Sequence, residues 1–443
     1  MKKRIFALFL ILAMLFAFTA ACNKTEVKTS EAPPSQAGDP STPVSSAPPT
    51  TTPSAVAPPV VSQEGQNDFT GELGMYNPDY DYSKNPKYKI AYLVSNNSSG
   101  LYTDSGLAFA HWASLSNCEY MGLIDFANDD DAMMAQLPQL ARDYDGLVMD
   151  ANAKMYSRVY EIMEPTGTPW MSFMAAPRDY GYDTLPLLHP YIGFDQGYVG
   201  GIFAEYLLNK AATEWPDVPI EEFGFITVDA ASAPPLHERE TAAYNKVLEL
   251  NPDMAANRYF PVDAWAVGFD ASAAQQVVST VLSMNPDIKH WLVFGVYDDM
   301  SQGAAAAIDQ AGYTDTSWVT TFGGNALVTQ WDAGVQTSWK SALFLPQTVF
   351  TEAIFFSLYA FMNGDATPED MFPEWKNVHE DTRYGSFATR LLPFYEILFD
   401  DYQRMLKWSD VYAGSHTYDR YPLPPDITRD SYPISVPVPA NFK

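Results

Sequence analysis

One pattern limits the fold more than any other. From Lys87 onward a short apolar run, a polar loop and a helix-like stretch recur in turn. Tyr88–Val94 (YKIAYLV) is the first run; the loop Ser95-Asn96-Asn97-Ser98-Ser99-Gly100 follows, then a helical pattern carrying Leu107, Phe109, Ala110 and Leu115. Further strands are predicted at Tyr120–Phe126, Gly146–Met149, Trp170–Met174, Phe223–Val228, Trp291–Val296, Trp318–Phe322 and Trp339–Phe344. Helices are predicted at Tyr156–Met163, Gly197–Lys210, Arg239–Leu250, Ala271–Leu282, Ser301–Ala311, Ala326–Trp331 and Val349–Met362. Runs that are apolar throughout, rather than alternating, belong to strands covered on both faces, and strand–helix alternation makes those strands parallel. There are too many units for one compact sheet, so an α/β fold of two Rossmann-like lobes is expected. Ligands of such sheets bind beyond the C-terminal ends of the strands.

The residues before this body differ in kind. Lys2, Lys3 and Arg4 precede the apolar run Ile5–Phe18, and the small residues Thr19-Ala20-Ala21 lead into Cys22. That charge order is an export signal. It resembles a bacterial lipoprotein signal, with Thr19 where Leu is usual; the resemblance implies that Cys22 is lipidated and anchors the protein to a membrane surface. Residues 23–68 are rich in Pro, Ser, Thr and Ala, a composition that stays extended and reads as a tether. Asp79, Asp81 and Ser83 alternate like calcium ligands, but Lys84 stands where the loop needs Gly, so a solvated turn is expected.

Several functions are disfavoured. The 443 residues carry 26 Lys+Arg against 54 Asp+Glu, a net charge of −28, which repels nucleic acid. Two cysteines cannot frame a disulfide fold, and Cys118 is expected in the core. The six histidines show no metal-ligand spacing, and neither a nucleophile elbow nor a phosphate-binding glycine loop occurs. The acidic pair Glu221-Glu222 sits on one surface turn, unlike opposed glycosidase carboxylates. A binder is expected rather than an enzyme, with neither cofactor nor metal.

The loops after the strands hold the candidate site: Asn96, Asn97 and Tyr102; Asp150; Arg178; Arg239; Tyr297 and Asp298; and Asn325 after the glycine pair Gly323-Gly324. Amides, a guanidinium, carboxylates and aromatic rings suit a polyhydroxylated ligand, because hydroxyls both donate and accept and a sugar's apolar face stacks on a ring. Each has a plainer alternative. Asn96 and Asn97 suit a turn, Tyr102 a core, Arg239 a surface, and Asp298 a helix cap.

These loops resemble the periplasmic sugar-binding proteins, their arabinose-binding members in particular. The likeness is carried by Asn285-Pro286-Asp287-Ile288-Lys289-His290-Trp291-Leu292-Val293, by Gly303, by Gly268-Phe269-Asp270-Ala271, by Phe322-Gly323-Gly324-Asn325 and by Leu345-Pro346. It implies the type I periplasmic-binding fold: two lobes with parallel sheets, joined by a three-segment hinge near Tyr191, Leu345 and Leu391, closing on a sugar. It also implies sugar contacts at Arg239 and Asn325. Tyr297 departs from a family Asn, Met174-Ala175 from an aspartate pair, and Ser95 from a Lys, departures that remove charged partners for sugar hydroxyls.

The expected organisation is a signal at 1–22, a linker and transition at 23–86, an N-terminal lobe of 87–190 plus 346–390, a C-terminal lobe of 191–345 plus 391–411, and a Pro/Tyr-rich tail at 412–443. The expected function is capture of a small carbohydrate by a monomeric, lipid-anchored, extracytoplasmic protein and its delivery to an ABC transporter permease. A sensor for a membrane receptor or signalling kinase, or a surface carbohydrate-active enzyme, is the alternative.

Overall fold

A computed structural model describes residues 73–97, 100–173, 190–194, 196–345, 347–372, 389–392, 394–400, 402, 403 and 406. Cys22 and its signal, the linker at 23–68, Met174-Ala175, Arg178, residues 373–388 and the tail at 412–443 lie outside them.

The first set of elements is β1 (Lys89–Val94), α1 (Gly100–Leu115), β2 (Glu119–Asp125), α2 (Asp130–Asp143), β3 (Gly146–Asp150), α3 (Tyr156–Met163) and β4 (Trp170–Ser172). The four strands form a parallel sheet in the order β2-β1-β3-β4. Alternation along β1 decides what covers each face. Ala91 and Leu93 face Met133, Met134 and Leu137 of α2 and Tyr156 and Val159 of α3. Ile90, Tyr92 and Val94 face the opposite layer, which includes Phe109 and Trp112 of α1. The side chain of Asp129 accepts from the Ala132 amide at 2.8 Å, so the acidic run at 129–131 caps α2. Asp81 likewise accepts from Ser83 within a short turn at Tyr82–Lys84.

Two elements follow, β5 (Tyr191–Gly193) and α4 (Gln196–Glu214). The second set is β6 (Phe223–Asp229), α5 (Pro234–Leu250), α6 (Pro252–Asn257), β7 (Tyr259–Asp263), α7 (Ala271–Met284), β8 (His290–Gly295), α8 (Asp298–Gln310), β9 (Ser317–Gly323), α9 (Asn325–Asp332) and β10 (Trp339–Phe344). Then come α10 (Gln347–Asn363), β11 (Thr389–Leu391) and β12 (Tyr395–Leu398). The second sheet runs β12-β10-β9-β8-β6-β7, parallel except for β12. β5 and β11 form a separate parallel pair. α10 packs against α1, β3 and β4 of the first sheet.

β7 is absent from the sequence expectations. Pro261 lies inside β7 and cannot donate a ladder hydrogen bond, which hides the strand from a pattern search and suits its place at the sheet edge. α4 and α5 touch so closely that a Cβ on Gly200 would lie 2.0 Å from the Arg239 carbonyl oxygen. Among the described residues no helix is long and apolar enough to cross a membrane.

Candidate functional site

Strand order locates the site. In the first sheet β1 is flanked by β2 on one side and β3 on the other, so the chain reverses its winding between β1 and β3. In the second sheet β6 has β7 on one side and β8 on the other. Each reversal opens a crevice at the C-terminal strand ends, where α/β sheets bind ligands. The loops concerned begin at Ser95, Ala151, Ala230 and Val296.

In the first crevice, Ser95 ties the loops together. Its amide donates to the Asp150 carbonyl at 2.9 Å, and its hydroxyl accepts from the Asn152 amide at 2.8 Å. The Asn97 amide donates to Asp125 Oδ1 at 3.2 Å, and its side-chain oxygen accepts from the Thr103 hydroxyl at 3.3 Å, so Asn97 holds a turn. Asn96 is half-buried beside it. Tyr102 hydrogen-bonds Asp150, whose carboxyl burial pushes up to about 6. The Tyr102 ring lies 6.0 Å from Phe173, which follows β4. Tyr102 and Asp150, distant in sequence, are thus one unit.

In the second crevice, Arg239 is buried, with its guanidinium carbon 4.6 Å from the Phe322 ring centre. Its Nε donates to Gln196 Oε1 at 2.7 Å and its Nη1 to the Val296 carbonyl at 2.6 Å. Burial pushes its pKa down to about 10, still charged at neutral pH, and it has no carboxylate ion-pair partner among the described residues. A buried cation held only by neutral acceptors is ready for another acceptor.

Asp298 has a different task. Its Oδ1 accepts from the Gly324 amide at 2.7 Å and the Thr321 hydroxyl at 3.3 Å, and its Oδ2 accepts from the Ala326 amide at 2.9 Å. It caps α9 from outside, although it lies in the first turn of α8. Burial holds its carboxyl up to about 6, against those lowering hydrogen bonds. Gly323 and Gly324 take φ of 118° and 101°, and a Cβ on Gly324 would meet the Ala342 Cβ at 2.6 Å, so only glycine makes this turn easily. The turn delivers Asn325, whose side-chain amide donates to Asp104 Oδ2 on α1 at 3.0 Å. Tyr297 is half-buried, its ring 5.3 Å from Phe269 and its hydroxyl 3.5 Å from the Phe269 carbonyl.

Asp104, Gln196 and Phe173 were not anticipated. Gln196 carries the one legible hint, since it follows directly on the crossing segment near Tyr191; Asp104 meets Asn325 across 221 residues and leaves no local signal.

The family model for a periplasmic binding protein domain matches residues 90–348, more than half of the chain. The chain belongs to the periplasmic-binding-protein family. Its members bind solutes, which agrees with the expectation of a binder rather than an enzyme. Solved structures of the same fold include an ABC transporter periplasmic solute-binding protein from Actinobacillus succinogenes with bound D-allose, 15% identical with a TM-score of 0.53, covering 72% of this chain and 100% of that one. A solute-binding protein from Bacillus halodurans with bound myo-inositol is 14% identical with a TM-score of 0.52, covering 72% and 97%. An arabinose-binding protein from Geobacillus stearothermophilus is 14% identical with a TM-score of 0.51, covering 72% and 99%. No curated protein sequence matches significantly. The type I periplasmic-binding fold expected from the sequence is therefore the fold observed.

Proposed function

We propose that this protein captures a sugar or polyol between its two sheets and hands it, unaltered, to the permease of an ABC importer. The observation that carries the proposal is Arg239: buried, oriented by Gln196 and the Val296 carbonyl, and without a carboxylate ion-pair partner among the described residues. A hydroxyl oxygen suits such a guanidinium, because it accepts without bringing a full charge that would bind too tightly to release. Asn96, Asn97, Tyr102, Asp150 and Arg178 would contact the ligand from one lobe, and Arg239, Tyr297 and Asn325 from the other, with Asp298 fixing the turn behind Asn325. The bound D-allose and myo-inositol of the similar structures fit this chemistry.

In this proposal residues 87–190 with 346–390 form one lobe and 191–345 with 391–411 the other. They hinge near Tyr191, Leu345 and Leu391, and the closed state is favoured by the ligand's contacts to both sides. Cys22 is acylated, and the linker holds the monomer on the extracytoplasmic face of the membrane; mass spectrometry of the membrane-extracted protein would show the acyl mass or its absence.

A thermal-shift screen over pentoses, hexoses, disaccharides, polyols and nucleosides tests the central point, since a ligand of the folded state raises the melting temperature with its concentration. The expected hit is a neutral hydroxyl-rich compound, bound at least tenfold more weakly by Arg239→Ala and by Asn325→Ala. Unchanged affinity in both variants would remove the site.

A further inference from the structure

A second polar cluster lies at the end of β6, which has β7 as a neighbour. Asp229 closes the strand, and its carboxylate meets the first turns of α5. His237 and Glu240 are three residues apart on that helix and so share one face. Asp229 Oδ2 is 2.6 Å from His237 Nδ1, and Glu240 Oε2 is 4.0 Å from the same nitrogen. All three donor atoms lie within 4.8 Å of one another. A divalent ion holds N and O donors at about 2.0–2.2 Å, so its ligand atoms sit roughly 3–4 Å apart. The 2.6 Å contact between Asp229 and His237 is a hydrogen bond, so a metal would take the place of its proton and the two atoms would move apart by about 0.5–1 Å.

The carboxylates are built for the purpose. The Ala230 amide donates to Asp229 Oδ1 at 2.7 Å, and the Tyr259 hydroxyl donates to Glu240 Oε1 at 3.2 Å. Each acid therefore has one oxygen fixed by the fold and the other turned toward the imidazole, the outer-shell arrangement that orients metal ligands. The Thr227 hydroxyl in turn bonds Tyr259. Charge points the same way. The side chains of Asp229 and Glu240 are 6% and 10% exposed, and His237 is their one ion-pair partner among the described residues. Glu240 is held above the ordinary carboxylate range by burial and then by the Asp229 charge. Two buried acids facing each other across one imidazole leave negative charge uncompensated.

We propose that Asp229 Oδ2, Glu240 Oε2 and His237 Nδ1 bind a divalent transition-metal cation, with water in the positions on the side where the His237 ring is exposed. One imidazole with two carboxylates favours zinc, manganese or cobalt over magnesium and calcium, which prefer oxygen alone.

The test is calorimetric titration of the chelator-treated full chain with zinc chloride. One saturable site is expected, with no comparable heat from magnesium or calcium. His237→Ala and Glu240→Gln should each weaken zinc at least tenfold, while His111→Ala, on the exposed face of α1, should not. Glu240→Gln keeps the shape that Tyr259 packs against, and circular dichroism confirms that each variant folds. No saturable zinc site, or equal affinity in both site variants, overturns the proposal. Because the titration contains no sugar, its failure leaves the carbohydrate reading standing, and the reverse also holds.

Discussion

At the scale of single residues, buried acids set how the protein responds to pH. Burial raises the folded-state pKa of Asp150 and of Asp298 to about 6, from an ordinary 3.8. The folded state therefore binds their protons more tightly than the unfolded chain does. Between about pH 4 and pH 6 it holds more protons, so stability rises as pH falls through that window and is lower at pH 7. Each group contributes up to about 2–3 kcal/mol to the change. The expected outcome is a melting temperature that climbs from pH 7.5 to pH 5, with Asp150→Asn removing a large part of the slope; a flat profile in the parent protein would contradict it. The backbone at Gly324 gives a second prediction. Gly324→Ala forces a side chain into positive φ against Ala342 and should cost about 1–3 kcal/mol in denaturant unfolding. The role of Asp298 shows where sequence reading stops. Its position at the start of a helix predicts a cap, and it is one, but for the next helix along, reached through the Gly323-Gly324 turn.

At the scale of elements, the helix pair α4–α5 ties packing to the site. Gly200 admits the backbone of α5 at Arg239, so any added atom must push that helix away. Gly200→Ala should destabilise by about 1–3 kcal/mol and also weaken ligand binding, because Arg239 moves with its helix. Loss of stability with unchanged affinity would separate the two. Most strands were legible because both their faces are buried and their residues are apolar without interruption, as in Phe223–Val228 and Trp339–Phe344. β7 was not, since its edge position leaves Phe260, Val262 and Asp263 half-buried and Pro261 exposed. α5 begins at Pro234, five residues before its predicted start, because proline opens a helix without a side-chain cap and carries no periodic signal.

At the scale of the molecule, two properties emerge that no short segment holds. The first is self-repulsion. With a net charge of −28, raising ionic strength from 20 mM to 500 mM should lift the melting temperature by several degrees as the acids are screened. The second is coupling between sheets. Asn325 beyond the second sheet and Asp104 on a helix of the first meet directly, so a double-mutant cycle with Asn325→Ala and Asp104→Ala should show a coupling of about 0.5–1.5 kcal/mol in ligand affinity. Additive effects would mean that the contact plays no part in holding ligand. The two-sheet architecture was readable from the number of repeating units. The pairing of Asn325 with Asp104 was not, since it depends on how the sheets face one another.

Cys118 sits at the start of the chain's turn into β2, buried, with its thiol pushed up to about 11 by burial. A thiol so shielded and so seldom ionised reacts with a disulfide reagent only when its surroundings open. Its labelling rate is therefore a built-in clock for breathing of that region, readable as added mass without introducing a new cysteine, and it can be followed with and without sugar.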